Sequence, residues 1–134
     1  RLGMLTEEHL SEAQCGFRPN RSTNDMIFVA RQLFEKSREQ RRPLYACFID
    51  FTKAFDSVPR EALWIILIKY GCPNKIINII TGFHDNMEAT VSNNNMSSTP
   101  FKVNNGTKQG CVLAPSLFAI NLNSMLQYAF KGYN

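Results

Sequence analysis

Apolar positions recur at helical spacing along most of the chain and form an unbroken, strand-length run in one place. Residues 1–14 begin as a helix and turn polar. Ser22 suits an N-cap, with Asp25 in the first turn. Met26, Ile27, Ala30, Leu33 and Phe34 then predict a helix with one buried face. It fades in the polar run Glu35 to Arg42, and Pro43 closes it. Leu44, Tyr45, Ala46, Cys47, Phe48 and Ile49 form the apolar run and predict a buried strand. Pro59 and Glu61 open a strongly apolar helix, Arg60 to Tyr70, which Gly71 and Pro73 stop. A second helix spans Asn74 to Phe83 and buries Ile76, Ile77, Ile79 and Ile80. Glu88 to Ser92 and Thr99 to Val103 read as strands joined through Asn93 to Ser98. A last helix buries Phe118, Leu122, Met125, Leu126 and Ala129. The order is helix, strand, two helices, hairpin, helix. It predicts an α+β fold, an antiparallel sheet backed by helices.

The strand-length run ends on Asp50. An acid placed directly after an apolar strand cannot stay in the core as a lone charge. It emerges at the strand end, meets a cation, or loses its charge. A carboxylate at a rigid strand tip, with the next turn's backbone beside it, is a way to build a metal site. An acid that merely starts a solvated turn explains Asp50 equally well.

Composition narrows the classes. The 134 residues suffice for one domain, and 44% are hydrophobic, which marks folding material and not a disordered tail. The longest apolar run, Ala62 to Ile68, is far too short to cross a bilayer, so no membrane partner is expected. The start lacks a signal-peptide core. Arg1 in place of Met, and an end without a terminal device, read as an internal fragment of a longer frame. Cys15, Cys47, Cys72 and Cys111 are scattered with no C-x-x-C, which argues against zinc and for reduced thiols inside a cell. Net charge is +4, and eight of the fifteen Lys and Arg precede residue 43. That balance suits a polyanionic partner and is also ordinary for a soluble domain.

Two loops carry candidate chemistry. QCGFRPNR, Gln14 to Arg21, sets two arginines around Phe17, a pattern suited to phosphate contacts and base stacking, although a surface loop with solvated arginines and one aromatic anchor is the simpler local reading. GTKQGCVLAP, Gly106 to Pro115, frames Lys108 and Gln109 with glycines ahead of a helix. Such a loop lets backbone approach a ligand, although it is not a P-loop.

Three stretches, in this order and spacing, carry a resemblance: QCGFRPNRSTND, FIDFTKAFDSVPREALW and GTKQGCVLAPSLF. Together they resemble the reverse transcriptase domain of non-LTR (LINE-type) retrotransposons, with group II intron enzymes as more distant relatives. The likeness runs from about Glu12 to Ala129, and GCPNKIINII and the hairpin ending in FKVNNG share it. It implies an incomplete fingers/palm domain of a right-hand polymerase, with residues 1–43 on the fingers side and 44–134 in the palm.

The resemblance also implies roles. Asp50 is the first palm carboxylate for two Mg²⁺ ions, and Phe51 offers its backbone carbonyl. Thr52, Lys53 and Ala54 cradle a deoxynucleoside triphosphate with backbone amides. Phe55 is the aromatic gate that clashes with a ribose 2′-OH. Asp56 fixes the turn or caps the helix and binds no metal. Gln109 and Gly110 contact the nucleotide and the template–primer, with Pro115 and its helix behind them. Phe17, Arg18 and Arg21 lie against the template. Asn20 replaces a frequent Gly, Lys108 a frequent Arg, and Ala114 a frequent Ser. None of these changes removes an essential group.

The family's aromatic-x-Asp-Asp motif does not occur in the 134 residues. The expectation is therefore twofold. A parent enzyme would extend a DNA primer on an RNA template by two-metal phosphoryl transfer. The isolated chain would be inactive. A non-enzymatic remnant that binds nucleic acid, or nothing, is the alternative. By family alone, the setting is intracellular and the action nuclear. Without the strands that would pair with 44–49, an apolar face and an open edge are expected, with aggregation or molten behaviour as the consequence.

Overall fold

Leu63, Leu67, Leu117 and Ile120 are fully shielded from solvent, and these four side chains hold the helices together. The structure, a computed structural model, describes residues 2–108 and 110–132. It contains five helices: α1 (Leu2–His9), α2 (Thr23–Glu39), α3 (Arg60–Lys69), α4 (Asn74–His84) and α5 (Ala114–Ala129). Between α4 and α5 lie four short strands: β1 (Glu88–Ala89), β2 (Ser92–Asn93), β3 (Met96–Ser97) and β4 (Phe101–Lys102). Helix α3 is central, packed on α4 and α5, and α1 closes over α5. Val58, Cys72, Ile77 and Ile80 complete the core, and burial pushes the Cys72 thiol pKa up.

The helix boundaries follow the sequence signals. Pro59 directly precedes α3, Gly71 follows it at φ +75°, and Pro73 directly precedes α4. The Asp25 carboxylate accepts hydrogen bonds from the Ser22 amide at 2.6 Å and the Ser22 hydroxyl at 3.2 Å, which fixes the start of α2. The hairpin is also where the sequence puts it, with antiparallel pairing of Glu88 to Lys102 and Ser92 to Ser97. Its turn is shorter than the polar stretch suggested. Asn94 and Asn95 both take positive φ, so two residues suffice to reverse the chain. The α+β class with antiparallel strands therefore holds.

Ile77 and Ile80 of α4 are buried as expected while Ile79 is exposed, and three larger expectations fail, each through missing or different packing. Residues 44–50 are not a strand. They carry no regular secondary structure and are exposed, because no neighbouring strand among the described residues completes a ladder. Helix α2 forms, yet none of its residues is buried and it packs on no other helix or strand among the described residues. Its capping box and the Arg31–Glu35 and Lys36–Glu39 ion pairs stabilise it locally. Helix α5 buries Leu117, Ala119, Ile120, Asn121 and Asn123, whereas Met125, Leu126 and Ala129 are exposed. Its first half meets α3 and α1, and the apolar pattern runs on past those neighbours. Asn123 replaces apolar contact with polar tethers, donating to the His9 carbonyl and the Tyr70 hydroxyl at 3.1 Å each.

The uncovered apolar side chains generate a prediction. Ile27, Phe28, Tyr45, Phe48 and Ile49 are each more than 60% exposed. Exposed apolar side chains in this number drive association. The isolated chain should bind a hydrophobic dye and sediment as concentration-dependent oligomers. Phe48→Glu with Ile49→Lys should restore a monomer without lowering the melting midpoint, since neither side chain is buried. A dye-silent monomer of the unsubstituted chain would contradict this.

Candidate functional site

The turn after Asp50 sets the site. Lys53 takes φ +52°, and the Ser57 amide then donates to the Lys53 carbonyl at 3.0 Å, so residues 53–57 form one closed turn. Ser57 Oγ adds a bond to the Ala54 carbonyl at 3.1 Å. The loop before α5 lies directly on this turn. The Gly106 amide donates to the Val58 carbonyl and the Thr107 amide to the Phe55 carbonyl, both at 2.9 Å. Gly106 has φ +82°, and a Cβ there would stand 2.6 Å from Asp56 Cα. Only glycine meets both conditions. Behind the turn a cavity of about 190 Å³ separates Phe51, Ala54 and Ser57 from Phe118, Asn121 and Leu122 of α5.

Phe55 joins all three sequence stretches. Its ring tilts against Phe118 of α5 with centroids 5.0 Å apart. Phe17, from the arginine loop, meets it edge-on at 6.1 Å. Both geometries are favoured aromatic pairs. Asp50, Phe51, Thr52 and Lys53 are exposed beside this row. Among the described residues Asp50 makes no hydrogen bond or ion pair, and no three His, Cys, Asp or Glu side chains converge to hold a metal ion. Asp56 is exposed, and no side chain caps α3, so the expected capping role is not met. Gly110 is exposed at φ +86° with open space around it, whereas Gln109 lies outside the described residues. Pro115 occupies the first turn of α5.

The arginines divide. Arg18 is turned inward, its side chain only 5% exposed. Its fork grips the Glu7 carboxylate at 3.1 and 2.9 Å, and Nη1 donates to the Ser11 and Gln14 carbonyls. This geometry fastens the loop and turns little of the guanidinium to solvent. Arg21 pairs with Glu12 at the surface, and Phe17 is 61% exposed. The loop needs positive φ at Phe17 and at Asn20, as the tolerance of Asn for that region allows.

Sequence reasoning missed Arg60. Its guanidinium donates to the Gly106 carbonyl at 2.7 Å, Val103 at 2.9 Å, His84 at 3.0 Å and Asn105 at 3.2 Å. One side chain thus ties the hairpin's end and the glycine loop to α3. Burial pushes its pKa down and Asp85 opposes this, but the group stays charged. No local signal marks it, because its partners are backbone atoms remote in sequence. Glu7 was missed too, although an acid before an arginine-rich loop is a readable complement. The third omission, Thr107, is buried with its hydroxyl unpartnered among the described residues.

Comparison with known proteins decides the family. Residues 1–131 match the family model described as reverse transcriptase (RNA-dependent DNA polymerase). The chain belongs to the reverse transcriptase family. This reverse transcriptase segment is 26% identical over 114 residues to the Pol polyprotein of the type-2 retrotransposable element R2DM of Drosophila melanogaster, covering 85% of the chain and 11% of that protein. It is 25% identical over 126 residues to the transposon TX1 149 kDa protein of Xenopus laevis, covering 94% and 10%. With the RNA-directed DNA polymerase of the mobile element jockey of Drosophila funebris it shares 26% over 121 residues, covering 87% and 13%. The homology is to non-LTR (LINE-type) retrotransposon polymerases, and the chain spans about a tenth of the length of these relatives.

Two predictions follow from the geometry. Gly106→Ala should cost about 2–5 kcal/mol, from backbone strain plus the clash with Asp56. Gly110→Ala, with open space around it, should cost only the strain, about 1–2 kcal/mol. Urea melts followed by Trp64 fluorescence, in the monomeric background described above, compare the two directly.

The second concerns acid. The hydrogen bond from Arg18 holds Glu7 below the ordinary carboxylate range, its charge adding to the effect. A depressed folded pKa contributes stability that is present above the unfolded value and lost as pH falls through the folded one. The Arg18 Nε–H resonance should therefore shift in a step below the ordinary glutamate pKa. Glu7→Gln should abolish that step; its survival would assign it to another group.

Proposed function

We propose that the chain forms the fingers-side segment, residues 1–43, and part of the palm, residues 44–134, of an RNA-directed DNA polymerase. The observation that carries this reading is the convergence of its three motif stretches on Phe55, through Phe17, Phe118 and the Thr107 amide. Asp50 and the Phe51 carbonyl would hold Mg²⁺. They are hard oxygen donors, exposed at the end of segment 44–50, and so suit that ion in kind. Two Mg²⁺ ions, when bound, activate a primer 3′-OH and neutralise the leaving pyrophosphate.

The chain's own residues position the reactants. The amides of Thr52, Lys53 and Ala54 point to the triphosphate of a deoxynucleotide. Phe55, held from two sides, fills the space a ribose 2′-OH would need. Gln109 and Gly110 contact the nucleotide and the template–primer, on a loop that Gly106 and Arg60 hold against the turn. Phe17 and Arg21 face the RNA template and DNA primer, and Arg18 keeps their loop in shape. Action inside the cell, at the chromosome, fits the family.

One carboxylate does not make a complete site for two ions, so the chain by itself is a binding module and not a catalyst. Affinity for a primer–template should fall steeply with salt if several phosphates are contacted. The 134-residue chain should bind primer–template in this salt-dependent way and give no primer extension. In the full reading frame that contains it, Asp50→Ala should abolish extension and leave binding intact. Extension by the isolated chain, or full activity of the Asp50→Ala polymerase, would overturn the respective half.

A further inference from the structure

Phe17 sits in an uncommon backbone state for a bulky residue, φ +58°, and its ring is 61% exposed. Nothing in its own burial explains that strain. The neighbouring residue does. Arg18 is bolted to Glu7 and to two carbonyls of the same loop, which forces the chain through a left-handed step at Phe17. The step delivers the ring edge-on to Phe55. Strain retained by over-determined surroundings points towards function.

The contact is selective. Phe55 has two aromatic neighbours, Phe118 from rigid α5 and Phe17 from the fastened loop. Phe118 alone blocks retreat of the ring in one direction. Phe17 supplies the second restraint, from an element more than thirty residues distant in sequence. A gate that excludes one hydroxyl works only if its ring cannot move by the width of an oxygen. The discriminating power of Phe55 therefore depends on what holds it as well as on its size.

We propose that Phe17 is a positioning residue that braces the Phe55 ring and so sets how strictly the site rejects a ribose 2′-OH. This rests on the reading of Phe55 as the sugar gate. It differs from a template contact, which would weaken both sugars alike.

The test uses the full reading frame containing this chain, with dCTP and CTP as probes on one primer–template. Phe55→Val should lower the deoxy-to-ribo ratio of kcat/KM by a hundredfold or so, as removal of a steric exclusion does. Phe17→Ala should lower that ratio about three- to tenfold, the worth of one aromatic pair, over and above any loss the two nucleotides share. Phe17→Leu should fall between, and Phe17→Ala should add nothing in the Phe55→Val background. An equal loss for both nucleotides would assign Phe17 to the template alone and overturn the proposal. An unchanged ratio in Phe55→Val would remove the gate reading and the proposal with it. A readout free of activity is the ring-to-ring nuclear Overhauser contact between Phe17 and Phe55 in the 134-residue chain, whose absence would also overturn it.

Discussion

A single crossing governs this structure. The loop that leads into α5 passes over the turn that follows Asp50 with no room for a Cβ at Gly106, which sits on the Asp56 backbone. Two amide bonds, Gly106 to Val58 and Thr107 to Phe55, lock that crossing. It joins segments some fifty residues apart and needs a backbone conformation that side chains resist. Around it the helical core and the candidate site become one object. Val58, on the far side of the turn, is already in the core, and Phe118, one helical turn into α5, reaches back to Phe55.

The arginines show how charge is spent. The sequence carries a net charge of +4, with eight of its fifteen Lys and Arg before residue 43. A polyanionic partner is the natural first explanation. Yet Arg18 lies inside an ion pair, and Arg60 spends its fork on four carbonyls. Both behave as structural fasteners, filling the role that guanidinium geometry suits best. Leaving either partner set unpaired in a buried place would cost more than the bond contributes. The positive charge left free for an anionic partner is smaller than the count suggests, since Arg21 also pairs with Glu12, whereas Lys53 is exposed.

What could be read in advance followed from local physics. Helix starts and stops at Ser22, Pro59, Gly71 and Pro73 are set by φ preferences and caps, so they survive without tertiary knowledge. The Asn94–Asn95 hairpin is local in the same sense. Inference from pattern to burial held for Ile77 and Ile80 of α4 and failed for α2, the run 44–49 and the end of α5. The period along α2 is correct, but burial also needs a neighbour, and none among the described residues packs there. The run 44–49 has strand composition without a strand partner. The motifs marked the site's members, Phe17, Phe55 and the glycine loop, but not their contacts. Arg60 stayed hidden because a side chain that binds backbone leaves no pattern in residue types.

The division between core and site explains why the site has this form. Helices α1, α3, α4 and α5 enclose the buried apolar residues, and they share none of that burial with residues 44–53. Hydrophobic stabilisation therefore resides in the scaffold, while the groups proposed to meet nucleotide are attached by directional contacts: two amides at the crossing, one guanidinium and one aromatic row. Such contacts are worth about 1 kcal/mol each, so none alone defines the geometry. Together they do, since each constrains a different direction. The Thr107 hydroxyl, buried without a partner beside this junction, is the cost of the arrangement. Its amide is committed to Phe55, and that bond fixes the residue where its side chain faces no acceptor among the described residues. The loop is placed by the needs of the turn, and a buried polar group is tolerated to keep it there.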